Sequence, residues 1–407
     1  MVCELSNAAP AHAGAWRHVQ LSNKTARKLR LRLAGFLFGL VKTPKVSGNP
    51  FELAGENAKI LVIRQQNQMG DMLLATPCLR ALRQRLPKSS ITLLASQENE
   101  SVVRNNPHLN RVLVYDKRVF RRNPFAFLQL VRELRNGRFD VAVVLSTVSL
   151  SVTSAILCLA SRARFRIGFS GKGHGLEFMD RAFHFTVPLV DTGEHQSKLG
   201  LKLLEASCIT TKDLSPIMET SKEEKEFASG FMSKHGLAGS APGNRSRSVV
   251  AIHPGAGKAK NRWPADRFAA VANELNKRGI PIIVMGGPSD SEIVTDMLKG
   301  LQFSPVLLSG ESIGRVAAVM ERLSLFICND TGVLHVAAAV GCHTLALFGP
   351  TDPLRWAPLS ERVKTLRSPE SVMTALEQKI VLGSVLEILS TPEASSALST
   401  KGETRGY

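Results

Sequence analysis

From Lys59 onward, short apolar runs alternate with stretches whose apolar residues recur every three or four positions. Ile60–Ile63, Ser90–Leu94, Arg111–Tyr115 and Val141–Leu145 read as strands, with helical spacing over Leu79–Leu86 and Phe127–Arg135. A second series follows: Val249–Ile252, Ile280–Met285, Leu323–Cys328 and Thr344–Phe348. Helical patterns over Ala265–Arg278, Ser291–Leu298 and Ile313–Arg322 separate its runs. Such alternation predicts parallel sheets wrapped by helices, an α/β fold. Its occurring twice predicts two domains, at 59–219 and 249–371. The polar stretch 220–248, ending in Gly239-Ser-Ala-Pro-Gly-Asn-Arg-Ser-Arg-Ser248, has the composition of a linker. Residues 372–389 read as an amphipathic helix that Gly383-Ser384 can bend, and the Ser/Thr/Ala-rich segment 390–407 as a disordered tail.

Residues 1–58 form a basic leader. The first 50 residues carry eight Lys/Arg (Arg17, Lys24, Arg27, Lys28, Arg30, Arg32, Lys42, Lys45) against one acid, Glu4. Leu29, Leu33, Phe36, Leu37 and Leu40 fall at helical spacing beside Arg27, Lys28 and Arg30, a pattern suited to an anionic membrane surface. A solvated leader and a helix packed on the main body are the alternatives. A signal peptide fits poorly, because Lys42-Thr-Pro-Lys45 follows the apolar run with no small-residue cleavage site.

Charge extends this picture to the whole chain of 407 residues: 52 Lys+Arg against 34 Asp+Glu gives 52 − 34 = +18. Anionic partners are expected: phosphorylated substrates, acidic headgroups or nucleic acid. No RNP, KH or helix-turn-helix pattern supports nucleic acid. A content of 44% hydrophobic and 21% charged residues excludes disorder for most of the chain. No apolar run reaches the ~18 residues of a membrane-spanning helix. The six cysteines lack any C-x-x-C pairing, so zinc-knuckle and redox motifs are unsupported and buried thiols in a reducing cytoplasm are expected.

Candidate chemistry gathers at strand ends, where open α/β sheets bind ligands. Gln68-Met-Gly-Asp71 follows the first strand, and Gly70 presents Asp71 at the cleft edge, although an acid there also complements a helix dipole. Thr76-Pro77 reads as an N-cap followed by Pro at the first helical position. His253-Pro-Gly-Ala-Gly257 with Lys258, Lys260 and Arg262 combines close backbone approach with positive charge, either for phosphate or as a solvated basic loop. It is not a P-loop, since Ile252 and Ala259 occupy required Gly and Ser/Thr positions. Asn329-Asp-Thr-Gly332 with His335 one turn on opens a helix whose free N–H groups favour an anion; the plainer reading is a cap. The turns Gly286-Gly-Pro-Ser-Asp290 and Phe348-Gly-Pro-Thr-Asp352 end two further strands. Arg118–Arg122 and Arg162–Phe169 add basic and aromatic groups, suited to an anionic acceptor or to ordinary surface.

In combination these segments resemble glycosyltransferase family 9, the ADP-heptose:lipopolysaccharide heptosyltransferases. The carrying residues are Ile60–Arg64 with Gly70–Pro77, Arg166-Ile-Gly168, Ile252–Gly257 with Arg262-Trp-Pro264, Gly286-Gly-Pro288, Asn329–Gly332 with His335, and Phe348–Asp352. The resemblance implies a GT-B fold: two facing Rossmann-like domains with parallel sheets and an interdomain cleft. It implies an inverting transferase without an essential metal or other cofactor. Asp71 is the implied catalytic base. Lys260, Asp290, Asp330, Thr331, Gly332 and His335 are the implied donor contacts, and Arg64 and Arg166 the acceptor contacts. The lysine usual two residues before the Trp is here Asn261, which leaves the phosphate role open among Lys258, Lys260 and Arg262.

The implied partners are a nucleotide sugar, ADP-heptose by the resemblance, and an anionic glycolipid or core oligosaccharide. The implied place is cytoplasmic, peripheral on the inner membrane. Another nucleotide sugar, or a basic membrane-associated binding protein without catalysis, are the competing readings. A dehydrogenase fits less well, because G-x-G-x-x-G does not follow the first strand.

Overall fold

The computed structural model describes residues 28–29, 31–66, 68–146, 149–238 and 248–391. The first lobe contains β1 (Lys59–Arg64), β2 (Ser90–Ser96), β3 (Arg111–Tyr115), β4 (Val141–Val144), β5 (Phe165–Phe169) and β6 (Phe185–Val187). The second contains β7 (Val250–His253), β8 (Ile282–Gly286), β9 (Val306–Ser309), β10 (Leu325–Asn329), β11 (Thr344–Phe348) and β12 (Val363–Arg367). Every pairing is parallel. The sheet orders are β3-β2-β1-β4-β5-β6 and β12-β11-β10-β7-β8-β9. Each is a doubly wound, Rossmann-like sheet, and two of them make the GT-B architecture. Strand order reverses between β1 and β4 in one lobe and between β7 and β10 in the other, which opens a ligand crevice at those strand ends.

The central strands are apolar throughout because helices cover both sheet faces; β4, β7, β10 and β11 are buried along their whole length. All eight expected strands are present. β5 lies within the stretch read as a basic surface, because Arg166 interrupts an otherwise buried run. β6 and β12 lack a long apolar run and β9 carries only the short Val306-Leu-Leu308, because all three are incompletely covered. Thr76 does not cap its helix: it lies inside Thr76–Arg85, and its hydroxyl donates to the Leu73 carbonyl.

Two segment boundaries differ from expectation. The supposed linker contains the helix Lys222–Lys234, started by a reciprocal Ser221–Glu224 capping box and packed on Ile313–Met320. Its polar composition belongs to its solvent face, while Ala228 and Met232 are buried. The expected helix over 372–389 begins only at Gln378 and passes Gly383 unbroken to Ser390. Upstream, Glu370 and Ser371 adopt left-handed φ, which helical propagation cannot tolerate. Val381 and Val385 pack beside Trp263, Leu345 and Leu347.

The leader is not a separate unit from residue 31 on. Residues 31–39 are helical, and Ala34 and Phe38 are buried with Leu130, Leu134 and Phe183 of the first lobe. Arg181 donates to the Gly39 carbonyl, Arg166 to Thr43 Oγ1 and Lys45 to the Phe183 carbonyl. Leu29, Leu33, Phe36, Leu37 and Leu40 remain exposed. Expectations for 1–27, Arg30, 239–247 and the tail from 392 fall outside the described residues. Among the described residues no helix is long and apolar enough to cross a membrane. Cys78, Cys158, Cys328 and Cys342 are buried free thiols, and Cys208 is an exposed one.

The lobes share a continuous hydrophobic core that includes Met72 and Val103 of one and Ala317 and Leu334 of the other. Polar ties accompany it. The Met218 N–H donates to the Ala339 carbonyl at 3.1 Å, and Arg355 pairs with Asp191 at 3.0 Å. His195 caps the helix Gln196–Glu205 by accepting the Ser197 N–H at Nδ1, while Nε2 lies 2.7 Å from the Ala357 carbonyl. A carbonyl can only accept, so Nε2 carries the proton of a neutral imidazole.

Candidate active site between the lobes

Past Arg64, the chain turns into the short helix Met69–Leu73, whose first turn holds Asp71. Asp71 is 9% exposed. Burial pushes its carboxyl above the usual range, and the nearby Arg64 charge opposes that rise. Arg64 itself is 3% exposed. Its Nε donates to the Asp71 carbonyl at 3.1 Å and its Nη1 to the Leu145 carbonyl at 2.7 Å. A small cavity of ≈ 10 Å³, near the lower limit for one water molecule, is lined by Arg64, Asp71, Leu145, Gln196 and Gly200.

Facing this turn is the helix Gly332–Ala339 of the second lobe. A Cβ on Gly70 would meet the His335 ring, and a Cβ on Gly332 would lie 3.3 Å from Met69 Cε. The two candidate segments therefore abut. His335 is buried, its Nδ1 has no hydrogen-bond partner, and burial lowers its pKa to about 4, so the ring is neutral near pH 7. Thr331 precedes the helix without a side-chain cap bond. Its hydroxyl and the first N–H groups of that helix are thus free for a ligand.

Asn329, at the end of β10, organises the neighbouring loop. Its Nδ2 donates to the Pro254 carbonyl at 2.8 Å, and its Oδ1 accepts the Trp263 N–H at 3.0 Å. Trp263 Nε1 donates to the Leu376 carbonyl at 2.9 Å, which anchors the loop to the lobe. Asn261 Nδ2 donates to Asp330 Oδ2 and to Thr351 Oγ1, each at 3.1 Å. Burial raises the Asp330 pKa; bonds from Thr351 and Asn261 and the Lys258 charge oppose it.

The expected donor groups thus divide. Asp330, Thr331, Gly332 and His335 form one corner, opposite Asp71. Lys258 and Lys260 are both exposed, but Lys258 is the loop lysine whose charge reaches Asp330, and Arg262 Nε is taken by the Ala256 carbonyl. Asp290 lies beneath the loop: its Oδ2 accepts the Gly287 N–H at 2.9 Å and lies 3.2 Å from His253 Nε2. The His253 bond holds the Asp290 carboxyl below the usual range. A Cβ on Gly255 would collide with Asp290, so the tight His-Pro-Gly-Ala-Gly path needs glycine there.

Neither acceptor arginine is presented to the crevice as a free side chain. Arg64 is tied to carbonyls behind Asp71. Arg166 donates to the Ala182 and Ala163 carbonyls at 2.7 and 3.0 Å and to Thr43, stitching the leader to β5. Their side chains act on the protein's own backbone, which a basic pattern in sequence does not distinguish from ligand contact. Asn261, Asn329 and Thr351 carry more of the site than their sequence signals suggested. Asn329 lay within the Asn-Asp-Thr-Gly motif, and Thr351 within a strand-end turn. Gln196, buried on the cavity wall with an unpartnered Oε1, follows no strand and gave no local signal.

A family model described as glycosyltransferase family 9 (heptosyltransferase) matches residues 127–385. Lipopolysaccharide heptosyltransferase 3 of Escherichia coli strain K12 is 28% identical over 306 residues, covering 72% of this chain and 83% of that one. Lipopolysaccharide heptosyltransferase 2 of the same strain is 26% identical over 323 residues, covering 76% and 88%. The crystal structure of a family 9 glycosyl transferase from Veillonella parvula shares the fold with a TM-score of 0.73 at 24% identity, covering 83% of this chain and 99% of that one. The E. coli ADP-heptose lps heptosyltransferase II structure shares it with a TM-score of 0.66 at 23% identity, covering 81% and 98%.

Proposed function

Because the chain belongs to glycosyltransferase family 9, we propose that it moves a heptose, or a closely related sugar, from ADP-heptose to a lipopolysaccharide core acceptor with inversion. The observation that carries this reading is the meeting of the Gly70-Asp71 turn with the Thr331–His335 helix start. One side offers a proton acceptor and the other an anion cradle.

In this reading an acceptor hydroxyl attacks the anomeric carbon from the Asp71 side. The new C–O bond forms as the bond from that carbon to the diphosphate oxygen breaks, and the hydroxyl proton passes to the Asp71 carboxylate. The departing diphosphate gains charge. The free N–H groups at Gly332 and Val333, the Thr331 hydroxyl and the Lys258 ammonium are placed in advance to stabilise it more in the transition state than in the ground state. Asp330, braced by Asn261 and Thr351, holds the sugar-nucleotide side, and His335 closes the site against Gly70. The abutting lobes keep water from the donor.

The same reading places the protein on the cytoplasmic face of the inner membrane. The apolar side of the leader helix (Leu29, Leu33, Phe36, Leu37, Leu40), flanked by exposed Lys28 and Arg32, suits an anionic headgroup layer.

The test is thermal stabilisation by a panel of nucleotide sugars. A ligand at 100 times its Kd adds about 2.7 kcal/mol to the folded state. ADP-heptose is expected to raise the melting temperature, with UDP- and GDP-sugars inert. Stabilisation by a UDP-sugar alone would reassign the donor, and no response to any sugar nucleotide would remove the catalytic reading.

A further inference from the structure

We propose that Arg64 is a positioning residue for the reaction, fixing the Asp71 turn against the end of β4 and setting its charge beside the Asp71 carboxyl while the lobes are closed. The proposal rests on the reading of Asp71 as base. It begins with the location of Arg64, the last residue of β1, at the point where the sheet order reverses. Its two hydrogen bonds tie the Met69–Leu73 turn to Leu145, just beyond β4. The guanidinium thereby joins the two sides of the switch point and sets the distance of Asp71 from both.

The second observation is what surrounds the charge. A buried guanidinium that meets only carbonyls and no carboxylate in hydrogen-bond contact is costly. The other titratable groups around it do not compensate. Cys78, on the helix Thr76–Arg85, has a thiol pushed up to about 12 by burial and is neutral. Glu205 acts on Cys78 from the helix Gln196–Glu205. His335, across the lobe junction, is neutral near pH 7, and His195 behind it holds a neutral tautomer. Gln196 and Gly200 line the shared cavity without charge. The cationic partner acting on Asp71 is therefore Arg64, and both residues line a cavity no larger than a water molecule. Arg64 opposes the upward pull of burial on the Asp71 carboxyl. Its removal leaves burial unopposed, and Asp71 takes up its proton at a higher pH.

The experiment compares full-length wild type, Arg64→Met and Arg64→Lys in transfer from ADP-heptose to a deacylated, heptose-deficient core oligosaccharide, with kcat followed from pH 5 to 9. Arg64→Met is expected to move the acidic limb of kcat upward by about one pH unit, a typical effect of a neighbouring charge. ADP affinity, set in the other lobe, is expected to stay within twofold. Arg64→Lys keeps the charge but not the two-pronged bond, so the limb stays in place while kcat falls about tenfold. A folded Arg64→Met with an unmoved limb overturns the proposal. Should Arg64→Met not fold, Arg64→Lys decides: reduced kcat with an unmoved limb upholds it, and wild-type kcat overturns it. Asp71→Asn run alongside separates the two ideas. Near-normal turnover in that variant defeats the base assignment itself, whereas loss of turnover there with an unmoved Arg64→Met limb defeats only the role of Arg64.

Discussion

A Cβ placed on Gly70 would lie 2.6 Å from Cδ2 of His335. Real Cβ atoms do not approach a ring carbon so closely, so the absence of a side chain at Gly70 is what lets the lobes abut. The glycine's φ is unremarkable, so its role is space rather than backbone freedom. Gly70→Ala is therefore expected to fold normally but to hold the lobes apart. A misplacement of about 1 Å can cost 10²-fold in rate. We expect a fall in kcat of at least tenfold, with a larger radius of gyration by solution scattering. Wild-type turnover in that variant would show that the junction closes differently during the reaction.

Asp71→Asn removes the proposed proton acceptor with little change in shape. General-base removal is expected to lower kcat on the order of 10²–10⁴-fold. ADP affinity by calorimetry should stay within twofold, because the proposed donor groups lie on the opposite lobe. An equal loss of binding and turnover would place Asp71 in the donor site instead.

Much of this was legible in the sequence. The buried central strands announce themselves as apolar runs, and motif residues at the ends of β1, β7 and β10 converge because doubly wound sheets put their ligand crevice there. What was not legible arises from tertiary contact. Nothing near Arg64 or Arg166 indicates that both guanidinium groups turn inward to carbonyls. Ser221 and Glu224 spell a capping box, yet the polar face around them masks the helix. Gln196 lines the cavity with Arg64, more than a hundred residues away in sequence, only because its helix packs on Thr76–Arg85 and β5.

Lys258 rather than Lys260 is expected to serve the donor phosphates, since its charge is the one that reaches Asp330. A charge-assisted hydrogen bond contributes about 1.5–3 kcal/mol. Lys258→Ala should therefore weaken ADP binding by at least tenfold, with Lys260→Ala changing it less than threefold. Titration calorimetry of the two variants checks the order, and the reverse ranking would move the phosphates to the far side of the loop.

His335 makes the folded state sensitive to acid. Its pKa falls from 6.5 to about 4 on folding, chiefly through burial. The unfolded chain therefore takes up a proton as pH falls below 6.5, while the folded chain does so only near 4. Stability present above pH 6.5 is lost through that window, by about 3 kcal/mol in total. His184, also lowered to about 4 by burial, adds a similar slope of its own. The informative quantity is the difference: His335→Gln should lose less stability than wild type between pH 7 and pH 4.5 in urea unfolding. Identical losses would mean that the ring is solvated in solution and that the lobes stand open.

The leader helix offers a test of membrane attachment that leaves the fold intact. Its inward residues, Ala34 and Phe38, belong to the first-lobe core, and Thr43 and Lys45 bond to that lobe, so deleting the segment would damage the enzyme. The outward residues have no such role: Leu33, Phe36, Leu37 and Leu40 are 58%, 67%, 51% and 70% exposed. Replacing an exposed leucine or phenylalanine with serine removes apolar surface available to a headgroup layer, at about 25 cal/mol per Å². Leu33→Ser, Phe36→Ser and Leu37→Ser combined should therefore weaken binding to vesicles of phosphatidylglycerol and phosphatidylethanolamine by more than tenfold in co-sedimentation. Transfer to a water-soluble acceptor should be unchanged, because the helix lies outside the interlobe site. Retention of full vesicle binding by the triple variant would leave the chain's +18 charge, rather than this helix, as the source of attraction. That source is distinguished by salt, since charge attraction alone is screened over a Debye length of about 8 Å at physiological ionic strength.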